Sequence, residues 1–194
     1  MEKLLFFDTE TTGLPRNWKA PVTELYNWPR MVQLAYEYYS TDGVRITGGD
    51  YIIKPDGYEI PAEVAKLHGI TTERAMREGV NIIYVLEEFI RLAEKADYIV
   101  AHNMAFDEKI IGAELLRQGM ANILEKKKKI CTMQETTTLC AIPAKFGYKW
   151  PKLQELYYTL FGENFEDAHN AASDIKATVK CFFRLIELPM IIKI

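Results

Sequence analysis

The sequence predicts an α/β domain in which a central mixed sheet of five strands is flanked by helices, and three observations lead to it. An apolar run, Leu4 to Phe7, opens the chain, and two further runs rich in β-branched and aromatic residues follow within the first 54 positions. From about residue 81 onward, helical periodicity alternates with short apolar segments. Strands first, then strands alternating with helices, is the order of an α/β sheet with antiparallel and parallel parts. At 194 residues, with 48% hydrophobic and 26% charged, the chain is expected to form one domain, 1–194, with a full core.

The elements follow in order. The first strand ends in Asp8-Thr9-Glu10-Thr11-Thr12-Gly13, where glycine lets the chain turn away. Pro15 to Arg30 reads as a long loop. Met31 to Ser40 and Gly49 to Lys54 read as strands of a hairpin joined through Thr41-Asp42-Gly43, so the first three strands form a meander. Asn81 is placed to cap a helix ending near Ala96, with Leu86, Phe89, Ile90 and Ala93 on one face. Tyr98 to His102 is a short strand, and Asn103 is placed to cap a helix to about Gln118 with Gly119 as its stop. Ile130 to Met133 is the fifth strand. Leu153, Leu156 and Leu160 mark a helix stopped by Gly162, and the last helix runs from about Asn170 to Glu187, ahead of Pro189.

Composition excludes several classes. A net charge of −3 argues against a protein that coats nucleic acid through a broad basic surface, since that binding draws on many Lys and Arg. Three cysteines, Cys131, Cys140 and Cys181, show no C-x-x-C spacing, so neither a disulfide framework nor a thiolate zinc site is indicated. The opening apolar run is too short for a signal-peptide core and no stretch reaches membrane-spanning length, so a cytoplasmic protein without a membrane partner is expected. Lys126 to Lys129 is expected to be a solvated loop face, with phosphate contact as the alternative. Trp18 and Trp28 are candidates to stack on a single strand, whereas Trp150 before Pro151 is expected to pack.

The chemistry centres on Asp8 and Glu10. Side chains on a strand repeat with a period of two, so both carboxylates project from one face at the strand's end. Like charges this close need relief: a shared proton, a hard divalent cation such as Mg²⁺ or Mn²⁺, or simple solvation in an acidic loop. Asp107 falls in the first turns of a helix that follows a strand, where a carboxylate is stabilised as an anion. His169 and Asp174 lie five residues apart, about 140° apart on a continuous helix. They can face one site only if His169 belongs to the loop before the helix.

Three segments, Phe-Asp-Thr-Glu-Thr-Thr-Gly-Leu at 7–14, His-Asn-x-x-Phe-Asp at 102–107 and Ala-His-x-Ala-x-x-Asp at 168–174, stand in this order. Together they resemble the DEDDh group of DnaQ-like 3′–5′ exonucleases, to which the epsilon subunit of bacterial DNA polymerase III, ribonuclease T and oligoribonuclease belong. Leu-His-Gly-Ile-Thr at 67–71 resembles a segment carried by polymerase-associated members. The resemblance runs from Leu4 to about Glu187 and implies a ribonuclease H-like fold. It also implies two Mg²⁺ or Mn²⁺ ions: Asp8, Glu10 and Asp174 would hold one, Asp8 would bridge to the second, and Asp107 would act directly or through water. Two such ions, about 3.5–4 Å apart, activate water on one side and stabilise the leaving 3′-oxygen on the other. His169 would be the general base.

The same resemblance places Thr9 and Thr11 at the terminal 3′-hydroxyl and makes Leu14, His68 and Phe106, with Asn103 nearby, candidates to wedge the last base. The expected substrate is single-stranded or frayed nucleic acid with a free 3′ end, DNA favoured, and a DNA polymerase is a candidate partner. Three alternatives stand beside this reading: an exoribonuclease of the ribonuclease T or oligoribonuclease type, a non-catalytic nucleic-acid-binding or polymerase-docking module, and a haloacid-dehalogenase-type phosphatase, whose first strand ends in D-x-D-x-T.

Overall fold

In the computed structural model of the chain, residues 1–166 and 170–188 are described. Strands β1 (Lys3–Thr11), β2 (Met31–Ser40), β3 (Arg45–Ile52), β4 (Tyr98–Ala101) and β5 (Lys128–Cys131) form one sheet in the order β3-β2-β1-β4-β5. The first three pair antiparallel and the last two run parallel to β1, so the sheet is mixed, as expected. The longer helices are α3 (Ile82–Lys95), α4 (Met104–Arg117), α7 (Leu153–Phe161) and α8 (Ala171–Glu187). None among the described residues is long and apolar enough to cross a membrane.

The unbroken apolar run at the start of β1 follows from its place at the centre, because a strand covered on both faces needs no polar alternation. Leu5 and Phe7 enter a layer with Val85, Leu86 and Phe89 of α3 and Ile110 and Ile111 of α4. Leu4 and Phe6 enter the opposite layer with Leu156 of α7 and Ile175, Phe182 and Leu185 of α8. Edge-to-face ring pairs fasten both sides, Phe7 on Phe89 at 5.4 Å and Phe6 on Phe182 at 5.0 Å. The strand that carries Asp8 and Glu10 is therefore fixed from both faces.

Several boundaries differ from the sequence reading. Strand β3 starts at Arg45 rather than Gly49, with Gly48 and Gly49 inside its pairing to β2. A Cβ on Gly49 would come within 2.6 Å of the Tyr36 and Tyr51 rings, so the glycine reflects close packing. Two short helices that the sequence reading passed over, α1 (Ala62–His68) and α2 (Thr72–Glu78), form a small core of their own with Val32 and Ile60. At seven residues each they are too short to show helical periodicity. Strand β5 ends at Cys131, and the short helix α5 (Thr132–Glu135) takes over before α6 (Thr137–Cys140). Asn103 does precede α4 but adopts φ +78° and makes no side-chain cap.

Residues 15–30 are strapped onto α4. The Arg117 guanidinium donates to the carbonyls of Leu25 and Trp28, each at 2.7 Å, and Lys109 reaches the carbonyls of Trp18 and Ala20. Trp28 is buried with its indole N–H on the Pro21 carbonyl, which removes it as a stacking candidate. The expected lysine loop is also partly strand: Lys127 caps the carbonyls of Glu94 and Ala96, and Lys129 pairs with Glu108 at 2.7 Å. Trp150 is exposed, contrary to the packing role expected of it.

Candidate metal centre

Asp8 and Glu10 leave the end of β1 on one face, and the first turn of α8 brings Asp174 to meet them. Asn170 starts that helix, its side chain accepting from the Ala172 N–H at 3.0 Å. Each of the three acids offers one carboxylate oxygen, and these oxygens lie within 4.8 Å of one another. The first turn of α4 supplies Asp107 from the other side. Its Oδ1 accepts from the backbone N–H of Thr9 at 3.0 Å and the Thr9 hydroxyl at 2.7 Å, so Asp107 is locked to the residue between the two strand acids.

Electrostatics make the cluster a candidate cation site. Burial holds the Asp8 carboxyl well above its ordinary value, and the neighbouring charges of Asp107, Asp174 and Glu10 add to this. Glu10 is pushed up to about 8, by burial first and then by Asp174 and Asp107. Asp107 rises to about 7 through burial, against the lowering effect of its Thr9 hydrogen bonds. Three carboxylate oxygens crowded together, with Asp8 and Glu10 reluctant to ionise, suit a hard divalent ion such as Mg²⁺ or Mn²⁺.

The sign of the pH dependence follows. A carboxyl whose folded pKa is raised keeps its proton in the folded state while the unfolded chain releases it, so stability is lost as pH rises between the two values. For Glu10 that window runs from 4.5 to about 8. His102, whose burial lowers its pKa to about 4, works in the opposite direction up to its ordinary 6.5. Between pH 6.5 and 8, thermal melting in EDTA is therefore expected to shift downward, and the increment from added Mn²⁺ to grow with pH. A melting temperature that climbs over this interval would contradict the cluster's assignment.

The other described sequence candidates lie on β1, in the loop after it, on α1 and at the start of α4. Thr9 commits both its N–H and its hydroxyl to Asp107. The Thr11 hydroxyl donates to the Gly13 carbonyl at 2.6 Å, where Gly13 holds φ +149° and turns the chain. Leu14 then stands exposed. His68 closes α1 as a buried ring, its Nδ1 accepting from the Ile70 N–H at 3.1 Å. Burial lowers its pKa, offset in part by the Thr11 backbone. Phe106, next to Asp107, packs against Trp18 at 5.7 Å. Asn103 sits at the start of the same helix. His169 lies outside the described residues.

Sequence reasoning missed Glu114. It is fully buried in α4 and receives the Arg30 Nε at 2.8 Å, the Arg117 Nη1 at 2.9 Å and the Met31 N–H at 3.0 Å. Arg30 in turn exchanges hydrogen bonds with Thr12, two residues past Glu10. The available signal was a lone carboxylate inside the apolar stretch Ile110 to Leu116.

Comparison with known proteins supplies a lineage. No curated protein matches the chain by sequence. Among solved structures, Escherichia coli exonuclease I in complex with a dA16 oligonucleotide superposes with a TM-score of 0.76 at 18% identity, covering 97% of this chain and 42% of that one. The zinc-bound form of the same enzyme's complex with single-stranded DNA gives 0.76 at 19% identity, over 97% and 41%. A moderately thermophilic exonuclease I from Methylocaldum szegediense gives 0.75 at 17% identity, over 97% and 41%. The likeness extends through the whole fold, which is ribonuclease H-like, yet the chain spans less than half the length of these relatives. A family model described as Exonuclease, RNase_T, matches residues 5–182, a stretch that includes Asp8, Glu10, Asp107 and Asp174. The chain therefore belongs to the RNase_T exonuclease family.

Proposed function

We propose that this chain is a divalent-metal-dependent 3′–5′ exonuclease that removes nucleoside monophosphates from the free 3′ end of single-stranded or frayed DNA. The observation that carries the reading is the convergence of Asp8, Glu10 and Asp174 within 4.8 Å, facing Asp107 across Thr9. Family membership supports the reaction class, and the oligonucleotide-bound relatives support a single strand as substrate. It also sets the phosphatase alternative aside.

Asp8, Glu10 and Asp174 would hold the metal, with Asp8 shared between two ions and Asp107 completing the set. Bound divalent ions supply a nucleophilic water at neutral pH and charge stabilisation for the leaving 3′-oxygen. The chain's own contribution is to hold the four carboxylates in place between two packed layers. Thr9 orients Asp107 through two hydrogen bonds, so that its remaining oxygen keeps a fixed direction. His169, five positions before Asp174, is proposed as the general base for the attacking water, its ordinary pKa of about 6.5 suiting proton transfer at neutral pH.

The test uses matched DNA and RNA oligonucleotides labelled at the 5′ end, single-stranded and with mispaired 3′ termini. Stepwise shortening from the 3′ end in Mn²⁺ or Mg²⁺, abolished by EDTA and strongly reduced in His169→Asn, is the expected result, with DNA cut faster than RNA. Cleavage that persists in EDTA, or action confined to small phosphomonoesters, would overturn the proposal. Faster cleavage of RNA would move the substrate to the ribonuclease T or oligoribonuclease type.

A further inference from the structure

Between α6 and α7 the chain makes a small β-hairpin that the catalytic reading does not use. Pro143 and Tyr148 form an antiparallel bridge, the Ala144 N–H donates to the Gly147 carbonyl at 3.0 Å, and the Lys149 N–H donates to the Ile142 carbonyl at 3.0 Å. Lys145 and Phe146 occupy the tip, and Gly147 at φ +67° makes the turn. In extended backbone, Tyr148 and Trp150 fall on one side and Lys149 on the other. The partners agree with this: Lys149 is held by both carboxylate oxygens of Glu155 on α7, at 2.6 and 2.7 Å.

The aromatic side chains here are largely exposed, with Lys145 over the Phe146 ring. Phe146 is 85% exposed, Tyr148 51% and Trp150 60%, three large aromatics within five residues. Lys145 and Lys152 stand exposed beside them. An exposed apolar group of this density calls for a partner, and its mixture of rings and ammonium groups fits one class of ligand. Aromatic faces accept any base by stacking, while lysines meet the backbone phosphates.

The hairpin's position fits the same ligand. Its far end, Pro151, offers a carbonyl oxygen 3.1 Å from Nε2 of His102, which also contacts the Thr132 hydroxyl through Nδ1 at 3.0 Å. His102 directly follows β4, which runs parallel to β1 with Phe6 opposite Val100. Because the two strands run parallel, His102, just past the end of β4, leaves the sheet at the same edge as Asp8 near the end of β1. The hairpin is thus anchored one strand away from the acidic centre.

We infer that the 142–152 hairpin is a binding platform for single-stranded nucleic acid, engaging bases and phosphates upstream of the 3′-terminal nucleotide. The inference rests on the exonuclease reading for the direction of the strand, and its test is a binding measurement that needs no cleavage. Labelled oligothymidylates of 4, 8 and 16 nucleotides are titrated in EDTA with the full chain, followed by fluorescence anisotropy. Affinity is expected to rise with length, and the triple variant Phe146→Ala, Tyr148→Ala, Trp150→Ala to bind the 16-mer at least about tenfold more weakly, as the loss of one stacked base implies. Its binding of the 4-mer is expected to change little. The charge variant Lys145→Glu, Lys152→Glu leaves the rings in place and is expected to show the same length-dependent loss, so the outcome does not depend on the folding of one variant.

Unchanged affinity for the 16-mer in both variants, or an equal loss at every length, would overturn the platform. So would a wild-type dimer that the aromatic substitutions convert to monomer, because the face would then be a self-contact. Failure of the exonuclease reading is seen separately, as wild-type protein that binds with the expected length dependence yet releases no mononucleotide in Mn²⁺.

Discussion

Asp174→Asn is expected to lower the rate of 3′-end hydrolysis by about three orders of magnitude, the consequence of losing several kcal/mol of metal-borne transition-state stabilisation. The side chain keeps its shape, and only the charge and one anionic donor disappear. Two further readouts separate a lost ligand from a damaged fold. In EDTA at pH 8 the variant should melt at a higher temperature than wild type, because Asp174 is the largest neighbouring charge acting on Glu10 and also bears on Asp8 and Asp107. Added Mn²⁺ should then stabilise it far less than it stabilises wild type. A variant with a normal rate and a full Mn²⁺ increment would remove Asp174 from the metal centre. One that melts lower in EDTA would show that its packing outweighs its charge.

Which parts of this were legible in the sequence follows from how local each signal is. The strand carrying Asp8 and Glu10 announced itself, because a continuous apolar run followed by alternating acids is a local pattern. So did α3 and α8, whose apolar faces recur at helical spacing over 14 and 17 residues. Helices α1 and α2 gave no such pattern, since their core of Ala65, Ile70 and Ala75 is completed by Val32 and Ile60 from elsewhere. Trp28 and Trp150 were misjudged for the same reason: the fate of an aromatic side chain depends on a partner. Trp28 finds its cover under Lys109 and beside Pro21, whereas the hairpin carries Trp150 outward. In the candidate site, the convergence of Asp8, Glu10 and Asp174 was readable from residue types and their order. The hydrogen bonds from Thr9 to Asp107 were not, because they join positions 98 residues apart.

Glu114 makes the same point with a measurable consequence. Replacing it by alanine is expected to cost about 3–5 kcal/mol of stability, because a buried ion pair broken from one side leaves the other charges uncompensated. Here two guanidiniums, Arg30 and Arg117, and the Met31 N–H lose their common acceptor in one step. Against a total of about 5–15 kcal/mol for an ordinary domain, this is a large fraction, and urea denaturation should show a clearly lower midpoint. Glu114→Gln keeps an acceptor oxygen for the N–H groups and should fall between wild type and alanine. The loss should also reach the acidic centre. Met31 pairs with Thr11 across the bulge that follows Glu10, and Arg30 and Thr12 bond each other in both directions. Releasing Arg30 therefore loosens the strand end that aims Glu10, so the Gln variant, still folded, should need more Mn²⁺ for half-maximal stabilisation than wild type. Equal Mn²⁺ requirements would confine Glu114 to holding the 15–30 segment on α4. An alanine variant as stable as wild type would mean that water takes over the acceptor's place, and with it that the cluster of Arg30, Arg117 and Glu114 is less dry than its burial indicates.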